Sequence, residues 1–67
     1  MTYEQIHEVQ KHFVPMIPYQ TKDGWMRSAK SDRYFLDYNP KTADQRIVDG
    51  KTEKVEWQYY RDFYNGN

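Results

Sequence analysis

The chain has 67 residues, with ten Lys plus Arg, ten Asp plus Glu and a formal net charge of zero. A chain this short makes one domain, residues 1–67, and buries only roughly 60% of the surface its unfolded form exposes. Balanced charge argues against nucleic-acid binding driven by excess cation and against an acidic mimic of DNA, and the lack of cysteine excludes disulfides and thiolate metal sites.

His7 and His12 are the only imidazoles, so neither a metal nor a cofactor is expected. Apolar runs extend only a few residues, so no membrane span or secretory signal is expected and a cytoplasmic setting is the default. Aliphatic residues are few, with three Ile, one Leu and four Val, whereas aromatic residues make up 18% of the chain. Without staples, the aromatics must supply much of the burial, or self-association must help. Zero net charge makes that association easier.

The opening TYEQIHEVQKHFVP reads as a helix. Thr2 is a good N-cap, and Gln5 stands at the capping-box position. Ile6, Val9 and Phe13, with Tyr3 beside them, form one apolar stripe. Pro15 ends the helix at or before Val14. VPMIPYQ, residues 14–20, is extended, but its two prolines lack N–H donors and fit a sheet edge. KDG at 22–24 marks a turn, and WMRSA at 25–29 a second strand. RYFLDY at 33–38 is the clearest strand, with Tyr34, Leu36 and Tyr38 on one face and Arg33, Phe35 and Asp37 on the other. NPKT at 39–42 is a turn, QRIV at 45–48 a short strand, and DG at 49–50 breaks it. No internal repeat is visible.

Residues 53–64 fit two patterns. Val55, Trp57 and Tyr59 alternate as in a strand. Thr52 as N-cap, Glu53 in the first turn and Gly66 past the end fit a helix. A lone N-terminal helix covers little of a sheet, so the segment is read as a second helix that closes the core. The expected fold is α+β: an N-terminal helix, a three- to four-stranded antiparallel meander and a C-terminal helix. The alternative is a small five-stranded barrel with one N-terminal helix.

No catalytic constellation emerges, and an enzyme is not expected. HEVQKH spaces its histidines at i and i+5, about 140° apart around a helix, so they cannot share one metal. His12 pairs instead with Glu8 on a solvated face. Ser28 and Ser31 lack the glycines of a nucleophile elbow, and the three glycines, at 24, 50 and 66, build no phosphate loop.

WMRSAKSDR sets Arg27, Lys30 and Arg33 beside Trp25 and Tyr34. Cations next to aromatic rings can hold single-stranded nucleic acid, with Lys51 and Lys54 adding charge. This is the alternative function; the bland reading is a solvated hairpin with Arg stems over rings. The helix–strands–helix order and GKTEK at 50–54 resemble a double-stranded-RNA-binding domain, whose last helix opens on a Lys cluster. Only Lys51 and Lys54 match, Glu53 and Glu56 interleave them, and Trp57, Tyr59 and Tyr60 stand where that family packs alanines.

EWQYYRDFY, residues 56–64, concentrates five aromatics. Phe13, Phe35, Tyr59 and Phe63 are assigned to the core. Tyr60, Tyr64, Trp57, Tyr38 and Trp25 are assigned to a contact surface, because Tyr and Trp dominate interface hot spots. The expected function is a small protein-binding module, an inhibitor or adaptor docking an aromatic patch on a larger protein or burying it in a homodimer. Size alone associates such chains with accessory or mobile-element proteins.

Overall fold

The structure, a computed structural model, describes residues 2–59. One helix, α1 (Tyr3–Lys11), precedes five strands: β1 (Val14–Gln20), β2 (Met26–Lys30), β3 (Tyr34–Tyr38), β4 (Gln45–Asp49) and β5 (Val55–Tyr59). The helix starts as its sequence dictates. The Gln5 N–H donates to Thr2 Oγ1 at 3.2 Å, and the Thr2 N–H donates to Gln5 Oε1 at 2.9 Å.

The strands form one antiparallel sheet in chain order, with β1 and β5 at its edges. The sheet is open, so the barrel alternative does not hold. The expected C-terminal helix is also corrected: Val55–Tyr59 is a strand paired with β4. Glu53, expected in the first turn of that helix, has φ of 63° and closes a hairpin loop instead. A left-handed residue cannot continue a right-handed helix. The alternation of Val55, Trp57 and Tyr59 therefore prevails over the capping signals. With five strands and no second helix among the described residues, the topology behind the RNA-binding-domain resemblance is lost. Tyr60, Phe63 and Tyr64 lie outside the described residues.

Cross-strand register divides the side chains into two faces. On one, Ala29, Leu36, Ile47 and Trp57 align in a row. Helix α1 lies over this row, with Tyr3 packed edge-on against Trp57 at 5.3 Å between ring centroids. Ile6 and Ile47 are 2% and 0% exposed. Burying each such side chain contributes about 1.5–3 kcal/mol. The buried hydrophobic residues are Ile6, Ala29, Ile47 and Val48. Phe13 and Phe35, expected at the centre, are only half-buried. The described core is thus small and aliphatic.

The loops on either side of β4 repeat one design, Asn39-Pro40-Lys41-Thr42-Ala43-Asp44 and Asp49-Gly50-Lys51-Thr52-Glu53-Lys54. In each, the first side chain accepts from the backbone N–H two residues on, Lys41 at 2.9 Å and Lys51 at 2.8 Å. In each, the threonine hydroxyl accepts from the last residue's N–H, at 3.2 Å and 3.3 Å. The first N–H donates to the last carbonyl, at 2.8 Å in both loops. The fifth residue is left-handed in both, Ala43 at φ 64° and Glu53 at φ 63°. Gly50 has a separate reason to lack a side chain. A Cβ there meets the Arg33 carbonyl oxygen at 2.8 Å and the Phe35 ring at 3.1 Å.

Opposite outcomes follow for glycine at these sites. Ala43→Gly and Glu53→Gly each stabilise the protein by about 0.5–1 kcal/mol, since glycine adopts positive φ without steric cost. Gly50→Ala destabilises it by about 1–3 kcal/mol through overpacking. Thermal unfolding of the three variants checks both signs.

Candidate functional site

The second face of the sheet is built on charge. Tyr19, Arg27, Asp37, Arg46 and Gln58 align across all five strands. Asp37, at the centre, is 0% exposed, and Arg27 and Arg46 are 6% and 8% exposed. Arg27 grips the carboxylate with Nε to Oδ1 at 2.9 Å and Nη2 to Oδ2 at 3.3 Å. Arg46 Nε donates to Oδ2 at 2.9 Å from the other side. The far end of Arg46 forks onto Asp23 of the β1–β2 turn, at 2.7 Å and 3.1 Å. Aromatic rings floor both guanidinium planes: Phe35 lies 4.2 Å from Arg27 and Trp25 lies 4.4 Å from Arg46. The cluster Asp23, Arg27, Asp37 and Arg46 is therefore neutral as a whole.

Similar contacts favour the charged form of two carboxylates outside the centre of the row, the exposed Asp23 and the buried Asp49. Hydrogen bonds from Arg46, then from Thr21, hold Asp23 well below the ordinary carboxylate range. Arg33 donates to Asp49 at 3.0 Å and, with the Lys51 N–H, lowers that carboxyl in the same way.

The basic residues singled out from the sequence are therefore not one surface. Arg27 is spent on Asp37. Arg33 pairs with Asp49 at 2.9 Å while lying over Tyr34. Trp25 stacks on Arg46, not beside Arg27. Lys30, Lys51 and Lys54 are exposed. A guanidinium forked onto a buried carboxylate is not offered to phosphate. Of the aromatic residues assigned to contact, Trp25, Tyr38 and Trp57 are half-buried, and Tyr60 and Tyr64 lie outside the described residues. His12 Nε2 stands 3.9 Å from Glu8, as its spacing suggested, and Lys11 shares that carboxylate at 3.3 Å. Among the described residues, no three His, Asp or Glu side chains gather to hold a metal.

The most exposed apolar side chain among the described residues, Ile17, lies on β1, outside the aromatic-rich segment. Strand β1 reads VPMIPYQ, seven residues without a charge. Ile17 is 89% exposed, Val14 53% and Tyr19 46%. The strand is bare on both faces. Val14 and Tyr19 share the Arg27 face, Pro15 and Gln20 share the helix-covered face, and all four are exposed. Pro15 and Pro18 remove two N–H donors from this edge, which discourages the addition of another strand. The sequence signal was available: a neutral run in a chain that is 30% charged.

Two experiments test this electrostatic architecture. Asp37→Asn leaves the buried Arg27 without a counter-charge and Arg46 with Asp23 alone, and costs about 3–5 kcal/mol, whereas Arg27→Met, Asp37→Leu and Arg46→Met together restore most of the stability. Urea unfolding separates these outcomes. Asp23 and Asp49 titrate below their ordinary value of 3.8 in the folded state, so the unfolded chain binds more protons in acid. Their stabilisation is present above about pH 4 and fades as pH falls further, and Asp23→Asn removes part of that acid dependence.

No protein-family model, curated protein or solved structure matches the chain, so its geometry alone carries the functional reading.

Proposed function

We propose that the protein is a small cytoplasmic protein-binding module, an inhibitor or adaptor, that docks on a larger protein through strand β1. The observation that carries this reading is Ile17, 89% exposed in the middle of an uncharged edge strand. Single exposed apolar residues are ordinary on soluble proteins. A run that also bares Val14 and Tyr19 is a contiguous patch, and such patches mark contact surfaces. The prolines direct recognition toward side chains instead of strand addition. Tyr19 supplies the amphipathic aromatic anchor that interfaces favour.

Tyr3, 66% exposed against Trp57, is a second and smaller apolar site beside β5. It serves as the internal comparison. The variant Ile17→Ser loses the partner retained from native lysate, yet its stability stays within about 0.5 kcal/mol of the parent because the side chain is 89% exposed. Tyr3→Ser keeps the partner. The reverse pattern moves the contact surface to the Tyr3–Trp57 pair and overturns the assignment to β1.

A further inference from the structure

Charge placement around β1 specifies the chemistry of what binds it. All three arginines of the described chain are engaged with aspartates: Arg27 with Asp37, Arg33 with Asp49, and Arg46 with Asp23 and Asp37. Lysines behave differently. Lys22 and Lys30 make no salt bridge among the described residues, and both are exposed. Their positions bracket the strip. Lys30 is the cross-strand partner of Val14 at one end of β1. Lys22 follows Gln20 by two residues at the other. Lys11 adds to the Val14 end, balanced there by Glu8, and Asp32 lines the same groove as Val14 and Lys30.

We propose that β1 receives an apolar segment of another protein that carries carboxylates at both of its ends, with Lys22 and Lys30 as their partners. The proposal rests on the protein-binding reading and adds the chemistry of the bound segment. Three features favour this occupant. Carboxylates at both ends complement Lys22 and Lys30, which frame the strip and make no salt bridge among the described residues, although Asp32 beside Lys30 offsets part of the charge at the Val14 end. A second copy fits poorly: antiparallel apposition of two β1 strands sets Lys30 of each copy near Lys22 of the other, and like charges repel. A bilayer fits poorly too, because a flat surface reaches one face of β1 while both faces are bare.

Panning a displayed library of random peptides against the intact protein tests the inference. Selected peptides are expected to hold an apolar centre between Asp or Glu residues. Their binding is expected to weaken about tenfold or more with Ile17→Ser, with the pair Lys22→Glu and Lys30→Glu, and in high salt. Peptides that need Ile17 but carry neutral or basic ends overturn the charge assignment and leave the protein-binding reading standing. An empty selection, or peptides indifferent to Ile17→Ser, overturns the docking site itself. Concentration-dependent dimerisation lost in Ile17→Ser points to a second copy, and Ile17-dependent binding to phosphatidylserine vesicles points to a membrane. Either result overturns the proposal. The lysine variants are surface changes, so their melting curves stay close to the parent's and a loss of binding is not a loss of fold.

Discussion

A single carboxylate organises the sheet. Asp37 sits at 0% exposure on the central strand, gripped from β2 by Arg27 and from β4 by Arg46. Buried ion pairs add little net stability, because desolvation consumes most of the attraction. Their value here is in register. A one-residue slip of any of the three strands exchanges its two faces. Asp37 would then lie beneath α1, among the apolar row, and Arg27 would lose its carboxylate while Arg46 kept only Asp23. The charge row therefore makes wrong alignments costly in a domain whose buried aliphatic set is Ile6, Ala29, Ile47 and Val48. Arg46 extends the constraint outward, since its fork to Asp23 ties the β1–β2 turn onto β4.

The same row shapes what remains available for binding. It spends arginines, whose planar fork suits carboxylates, and leaves lysines in water. It also makes the second sheet face self-sufficient. Aromatic rings cover the guanidinium planes, so no second helix is needed there. Helix α1 covers the opposite face over Ile47 and Trp57 and leaves β1 bare. The proposed contact lies on β1, the edge strand that bares Ile17 and Val14 and meets the charge row only through Tyr19, whose hydroxyl accepts from Arg27 at 3.5 Å.

Local signals in the sequence were read well where the cause is local. The capping box of Thr2 and Gln5 is present, the two faces of β3 divide as alternation requires, and the prolines of β1 mark an edge. Long-range causes were missed. Asp37 looks like a solvent-facing residue until β2 and β4 bring arginines to it from ten and nine positions away. A signal did exist: successive strands carry Arg, Asp and Arg, charges of alternating sign that pair in an antiparallel meander. The last element is ambiguous from local signals because Thr52 suits a helix N-cap and a hairpin loop equally. Only the kinship of NPKTAD with DGKTEK, an Asx residue two positions before Lys-Thr, tells them apart. The aromatic excess was misleading for another reason. Trp25 and Phe35 serve as platforms for arginine, a role that composition cannot distinguish from core or interface.

Solvent exchange of the arginine side chains, followed by NMR on the folded protein at neutral pH, addresses the central claim most directly. The account predicts that the Nε–H groups of Arg27 and Arg46, each donating to Asp37 at 2.9 Å, exchange slowly. The Nε–H of Arg33 donates to Asp49 at 3.0 Å from a side chain 56% exposed, and exchanges faster than either. Rapid exchange at all three positions would contradict it, because the buried charge row would then be absent in solution.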